Sequence, residues 1–245
     1  MTDPTLVAIA AFTLGAGLSM YAVFAGADFG GGVWDLLAFG ERKAEQRSAI
    51  SRAMGPVWEA NHVWAIFVIV VLFTAFPKGM TGIWVGLFAP MSLVLLGVIL
   101  RGAGFAFRAH DEGAPREQRF FGIVFSVSSL VTPFALGAAA GVVAAGDLKP
   151  AGDTWQMVPW DVVLKPFPIA TGLLAVCICA YTAATFLTAQ TEGALQADFR
   201  RRALVAGAGF ALCSVLGLVL AQDEAPELAH ELLHGRALQI GRAHV

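Results

Sequence analysis

The sequence Gly55-Pro56-Val57-Trp58-Glu59-Ala60-Asn61-His62-Val63-Trp64 leads directly into an uncharged run at residues 65–76, which ends before Pro77. An acid and an amide at the mouth of such an apolar run are costly in a membrane unless they have a function. The stretch therefore predicts a membrane-spanning helix that carries functional polar groups at one end.

The composition extends this prediction to the whole chain of 245 residues, which is 57% hydrophobic and only 14% charged. Soluble domains carry about 25% charged residues. Six long stretches have no charge, at residues 5–27, 63–76, 80–100, 120–145, 166–191 and 203–222. A helix needs roughly 20 apolar residues to cross a bilayer, and the second stretch reaches this length only if it begins near Val57. We therefore expect an all-α polytopic membrane helix bundle with about six transmembrane helices.

Basic residues between these stretches indicate how the bundle lies in the membrane. They cluster in alternate connections, at Arg42, Lys43, Arg47 and Arg52, at Arg101, Arg108, Arg116 and Arg119, and at Arg200, Arg201 and Arg202. Basic connections favour the cytoplasmic side, so we expect an extracytoplasmic N-terminus and a cytoplasmic Trp58-Glu59 end. The formal net charge of −2 argues against a nucleic-acid partner.

No soluble domain is predicted, and residues 1–239 are expected to form a single transmembrane domain. The longest polar connection, at residues 146–165, contains Trp155 and Trp160 and is expected to lie at the outer membrane interface. Residues 240–245 follow without structural logic and are expected to be a non-native tail.

The first candidate functional residue is Asp28, in Gly26-Ala27-Asp28-Phe29-Gly30-Gly31-Gly32. A helix from Leu6 to Leu37 would be about 48 Å long, which exceeds the hydrocarbon core and leaves Asp28 in its cytoplasmic half or at its inner edge. An acid at that depth is a candidate proton relay. The alternative is a helix-end acid that reaches cytoplasmic water. Asp35, seven residues later, falls on the same helical face.

Glu59 is the second candidate acid, expected near the same side as Asp28. Its alternative role follows from Pro56, which suits a first helical turn, where the helix dipole favours an acid. Arg101 is a candidate charge partner for either acid, or a simple positive-inside residue. Trp58 has the size to face a quinone ring, or it is an aromatic-belt residue at the interface.

Ligands for a directly bound cofactor are scarce, because His62 is the only histidine in or beside a core span. Haem needs axial ligands such as His, Met or Cys. We therefore expect no directly bound cofactor and no metal site. If the chain belongs to a redox enzyme, another chain is expected to hold the cofactors.

Four sequence motifs, around Asp28, Glu59, Phe73 and Arg101, resemble those of subunit II of cytochrome bd-type quinol oxidases. The first, around Asp28, resembles the family's G-F-D-x-G-x-G, and the second, around Glu59, resembles G-P-x-W-[DE]-x-N-x-V-W. Leu72-Phe73-Thr74-Ala75-Phe76-Pro77 is similar to L-F-A-A-F-P, and Arg101-Gly102-Ala103-Gly104-Phe105-Ala106-Phe107-Arg108 to R-x-x-x-F-x-[FY]-R. The chain departs at Ala27, where the family usually has Phe, and at Glu59, where many members have Asp.

The resemblance implies a partner, subunit I, which holds haem b and haem d, and a complex in the bacterial inner membrane that oxidises quinol and reduces O2 to water. It implies that Asp28 and Glu59 lie on the family's proton path and that Trp58 lies near a structural quinone. A small accessory subunit is a further expected partner. The family normally has about two more helices, so the resemblance also implies a C-terminal truncation.

Two other functions remain open from the sequence. One is a proton-coupled secondary transporter, in which an intramembrane acid binds and releases H⁺ with the substrate. The other is a purely structural assembly subunit, in which both acids are replaceable.

Overall fold

The computed structural model describes residues 3–110 and 115–234. The predicted tail at residues 240–245 and the side chains of Arg108, Arg116 and Arg119 lie outside this part. In chain order the elements are α1 (Pro4–Leu36), α2 (Lys43–Ala75), α3 (Pro77–Thr81), a π-helical turn (Gly82–Gly86), α4 (Phe88–His110), α5 (Pro115–Ala144), β1 (Pro150–Ala151), β2 (Thr154–Trp155), α6 (Trp160–Val163), α7 (Pro166–Ala189), α8 (Gly193–Glu224) and α9 (Pro226–His234).

The prediction of an all-α polytopic membrane bundle is confirmed, because six helices are long and apolar enough to cross a membrane. They are α1, α2, α4, α5, α7 and α8. Large apolar side chains on their outer surfaces are exposed, among them Phe12 at 79%, Leu204 at 70% and Leu212 at 70%. Such surfaces suit a hydrocarbon solvent and would be unfavourable in water.

The prediction that Pro56 lies in the first turn of the second helix is wrong, because α2 begins at Lys43. Its first turns are rich in Lys, Ala, Glu, Gln and Arg, which are good helix formers, so the helix extends well beyond its apolar part. Pro56 therefore lies inside the helix and not in its first turn. It has no N–H and removes the bond to the carbonyl four residues earlier.

The third span was predicted from Met80, but α4 begins at Phe88. The residues before it form α3 and the π-helical turn instead. The indole of Trp155 contacts the turn so closely that a Cβ on Gly82 would lie 2.8 Å from the ring. The same indole donates a hydrogen bond to the carbonyl of Lys78, at 3.1 Å. The connection at residues 146–165 thus packs against this turn through the small β1–β2 hairpin.

The second half of α1, from Ala25 to Asp35, is buried in the bundle. Helix α1 packs against α2, α5 and α7, and α5 also packs against α7, while α4 packs on α5 and α8 on α7. Glycines permit the close approach of α1 to α7. A Cβ on Gly30 would overlap the backbone carbonyl of Cys179, and one on Gly26 would lie 3.3 Å from Thr182. These two glycines are one of the small-residue pairs that sequence spacing marks as helix-contact positions.

The connection between α1 and α2, at residues 37–42, lies beside the first two turns of α8, and we call this end of the bundle the basic end. Most of the basic residues that the sequence placed in connections belong to helices: Arg47 and Arg52 lie on α2, and Arg200 and Arg201 on α8. The α1–α2 connection itself contains Arg42, which pairs with Asp198 of α8.

Candidate functional site

Asp28 lies inside α1, which continues for eight more residues to Leu36. At 1.5 Å per residue this places it about 12 Å below the basic end of the helix. Its side chain is completely buried. The alternative of a helix-end acid that reaches water is therefore wrong, because the glycine-rich sequence after Asp28 stays helical and packs against neighbouring helices.

Arg101 forms a two-pronged ion pair with Asp28. Its Nη2 lies 2.6 Å from Asp28 Oδ1, and its Nη1 donates to Oδ2 at 2.8 Å. Nη2 also donates to the Asp28 backbone carbonyl at 2.9 Å. The arginine lies within α4 and is only 2% exposed, so it is not the exposed positive-inside residue of the alternative prediction. Planar guanidinium and carboxylate groups match in this geometry, which strengthens the pair.

Two further helices complete the surroundings of the pair. From α2, Asn61 Nδ2 donates to Asp28 Oδ2 at 2.9 Å, and from α5, Ser129 Oγ accepts a hydrogen bond from Arg101 Nε at 3.0 Å. The guanidinium also lies over the rings of Phe29 and Phe125, at 5.1 and 4.8 Å from their centroids. Four helices therefore meet at one neutral, hydrogen-bonded charge pair.

A cavity of about 50 Å³ adjoins this pair. It is lined by Tyr21, Asp28, Phe29, Asn61, His62, Ala65, Val98 and Arg101. The volume suits one or two water molecules. Asn61 Oδ1 is buried and has no hydrogen-bond partner among the described residues, so the cavity side of the site offers a free acceptor.

Glu59 lies apart from this cluster, since its side chain is exposed whereas Asn61, on the same helix, is buried against Asp28. Positions two apart on a helix point about 200° away from each other. In the described part of the chain no hydrogen bond or ion pair joins Glu59 to Asp28. The structure thus brings Asp28 and Arg101 together and leaves Glu59 on the outer face of α2.

Trp58 is part of an aromatic group between α2 and α4. Its ring lies 4.5 Å from the ring of His62 and 5.7 Å from that of Phe105, measured between centroids. His62 Nδ1 donates to the Trp58 carbonyl at 2.8 Å. The indole Nε1 is buried and has no hydrogen-bond partner among the described residues. An aromatic-belt role does not account for this packing.

Asp35 is a second buried acid on α1, at 2% exposure. Arg47 Nε lies 3.8 Å from its Oδ1, and Ser126 Oγ donates to its Oδ2 at 3.3 Å.

Sequence reasoning missed Ser126, Ser129 and the role of Asn61. The available signal was weak: hydroxyl and amide groups in otherwise apolar spans.

Metal-ligating groups are sparse in the described residues, which contain no cluster of three or more His, Cys, Asp or Glu side chains that could hold a metal ion.

Comparison with known proteins places the chain in a family. The family model described as cytochrome bd terminal oxidase subunit II matches residues 6–236. The chain belongs to this family. The motifs around Asp28, Glu59 and Arg101 all lie inside the matched range, so the family resemblance drawn from the sequence is confirmed.

Individual relatives agree with this assignment. Cytochrome bd-I ubiquinol oxidase subunit 2 of Escherichia coli (strain K12) is 29% identical over 206 residues, which cover 80% of this chain and 52% of the relative. Cytochrome bd ubiquinol oxidase subunit 2 of Bacillus subtilis (strain 168) is 29% identical over 178 residues, covering 73% and 52%. The chain spans about half the length of these two subunit II relatives.

A solved structure shares the fold of this subunit II family member. It is the bd oxidase from Geobacillus thermodenitrificans, which matches with a TM-score of 0.74 at 24% sequence identity. The match covers 93% of this chain and 70% of the other.

Proposed function

We propose that this chain acts as subunit II of a membrane complex that oxidises quinol and reduces O2 to water. The family match over residues 6–236 is the observation that carries the proposal. Haem b and haem d belong to a partner subunit I, which this chain stabilises, and the chain alone is not catalytic. The names of the relatives, ubiquinol oxidase subunits, support quinol as the reductant. The same membership favours this function over a secondary transporter.

The basic end of the bundle faces the cytoplasm in this proposal, and the membrane is the bacterial inner membrane. Arg42, Arg47, Arg52, Arg200 and Arg201 near that end support the orientation through the positive-inside rule. Protons for oxygen reduction then enter from the cytoplasm, and the reaction is electrogenic because charge crosses part of the membrane.

Glu59 and the Asp28–Arg101 pair have different roles in the proposed proton delivery. Glu59, exposed on the outer face of α2, collects and transfers protons at the surface of the subunit. The Asp28–Arg101 pair lies deeper, beside the cavity and the free Asn61 Oδ1, where one or two waters connect to His62 and Tyr21. Buried ionisable groups in a membrane protein commonly mark such ion pathways. Trp58, with its free indole N–H, contacts a structural quinone.

The test is oxygen consumption by the assembled complex with Glu59→Gln. Removal of an exposed carboxyl leaves the packing intact, so the haem spectrum and the yield of complex are expected to stay unchanged. Turnover is expected to fall at least about tenfold, since positioned acid–base groups contribute roughly 100-fold to 10,000-fold. Glu45→Gln, which removes another exposed acid of α2, is the matched control and is expected to retain normal turnover.

Asp28→Asn tests the buried part of the proposed proton path. The measurements are again oxygen consumption and the haem spectrum of the assembled complex. Slower turnover at a normal haem spectrum is the expected result. Normal turnover in both the Glu59 and the Asp28 variant would refute proton delivery through this subunit. The purely structural role would then stand, and the four-helix hydrogen bonding of the Asp28–Arg101 pair is the observation that favours it.

A further inference from the structure

An open cleft of about 670 Å³ lies at the basic end, remote from the Asp28 pair. The α1–α2 connection and the first turns of α8 form its walls. Its lining includes Trp34, Phe39, Arg42, Asp198, Arg201 and Arg202. The cleft thus combines cationic groups with apolar ones at the level where the spans meet the polar connections.

One wall of the cleft is held together by Arg42 and Asp198. Arg42 Nε and Nη2 donate to the two carboxylate oxygens at 2.8 and 2.6 Å, and Gln46 Nε2 donates to Oδ2 at 3.1 Å. The hydrogen bond with Asp198 raises the pKa of Arg42, so its charge is firmly retained. The Asp198 carboxylate is already neutralised by this pair and repels a bound anion only weakly.

Arg202 is the unusual residue of the cleft, since it is 8% exposed and has no ion-pair partner within 4 Å among the described residues. Its guanidinium lies 5.4 to 5.5 Å from the ring centroids of Trp34, Phe39 and Phe199. Nη2 donates to Gln46 Oε1 at 2.7 Å, whereas Nη1 has no partner in the described part of the chain. A buried cation without an ion-pair partner favours a nearby anion.

We propose that this cleft binds the phosphate group of an anionic phospholipid. Arg201, exposed at the cleft, supplies a guanidinium group whose planar donors match phosphate oxygens, and the positive charge of Arg202 in the wall of the cleft adds to the attraction. Leu37, Phe39 and Val205 offer exposed apolar surface for the glycerol and the first carbons of the acyl chains. Basic pockets between transmembrane helices are established sites for anionic headgroups.

The charge balance selects an anionic lipid over a zwitterionic one. Three arginines line the cleft against two carboxylates, Glu41 and Asp198, so one positive charge is in excess. A lipid with a net negative headgroup restores neutrality, whereas a choline headgroup would bring a second cation next to Arg201 and Arg202.

The experiment is a thermal unfolding titration of the full chain in neutral detergent, with phosphatidylglycerol as the probe. A ligand that binds only the folded state raises the unfolding midpoint with its concentration, which yields an apparent affinity. Arg201→Gln is expected to weaken that affinity about fivefold, because a guanidinium beside the bound anionic headgroup contributes roughly 1 kcal/mol of attraction. Arg200→Gln removes the neighbouring exposed charge, which does not line the cleft, and is expected to leave the affinity unchanged.

Two comparison ligands, phosphatidylcholine and inorganic phosphate, show whether an anionic lipid is needed to raise the unfolding midpoint. Phosphatidylcholine is expected to bind more weakly than phosphatidylglycerol, and inorganic phosphate is expected not to raise the midpoint at equal concentration. Equal loss of affinity in the Arg200 and Arg201 variants would indicate a diffuse surface charge and overturn the site. An inorganic phosphate effect equal to that of the lipid would overturn the lipid assignment. Because both substituted residues are exposed, the lipid-free unfolding midpoints of the two variants are expected to match the unmodified chain.

Discussion

Arg101→Ala is expected to destabilise the folded chain by about 3–5 kcal/mol, the typical result of removing one partner from a buried ion pair. Asp28 would then remain in the centre of the bundle with a buried charge, and Asn61 would be its only side-chain donor among the described residues. The measurement is the free energy of unfolding in mixed micelles, supported by the amount of folded chain recovered from membranes. Arg52→Ala is the matched control, because Arg52 is exposed and its hydrogen bond is to Ser48 on its own helix. The free energy of unfolding of the Arg52→Ala variant is expected to stay within about 0.5 kcal/mol of that of the unmodified chain.

The double substitution Asp28→Asn with Arg101→Gln separates charge compensation from simple loss of packing. It removes both charges at once, so the buried site is expected to recover a large part of the stability lost in Arg101→Ala. Arg101→Lys keeps the positive charge but loses the planar guanidinium. Its stability is expected to lie between that of Arg101→Ala and that of the unmodified chain. A double variant no more stable than Arg101→Ala would contradict the charge-pair interpretation.

The spans and the important polar residues were predictable because both depend on composition along the chain. A charged side chain directly after a long uncharged stretch is conspicuous in any sequence, which is how Asp28 and Arg101 were found. Helix ends were harder. The first turns of α2 are polar and exposed, so nothing in their hydropathy distinguishes a helix from a loop, and Lys43 was expected in a connection.

The internal geometry of the site was not predictable, because it depends on the rotation of each helix about its own axis. Glu59 and Asn61 are separated by a single residue, yet only Asn61 faces α1, and its amide rather than the Glu59 carboxyl meets Asp28. The α2 positions buried against the bundle include Met54, Val57 and Asn61. Knowledge of the packed neighbour is needed to find that face, since α2 is apolar around most of its circumference.

The same dependence on helix packing explains why Gly30→Ala is expected to be destabilising. A Cβ at this position would overlap the Cys179 carbonyl carbon and oxygen of α7, and backbone cannot move aside as a flexible side chain can. Overpacking of this kind typically costs about 1–3 kcal/mol. Alanine favours the helix over glycine by about 1 kcal/mol, so propensity offsets only part of the loss.

Gly15→Ala, on the same helix, separates the two effects because no atom lies within 4 Å of a Cβ built there. This variant retains the propensity gain without the clash and is expected to be as stable as the unmodified chain or more so. The measurement is the unfolding midpoint of both variants under identical detergent conditions. If Gly30→Ala unfolded at the same midpoint as Gly15→Ala, the close contact of α1 with α7 would be disproved. The position of Asp28, two residues before Gly30, would then lose its support, since that contact fixes the helix on which the charge pair is built.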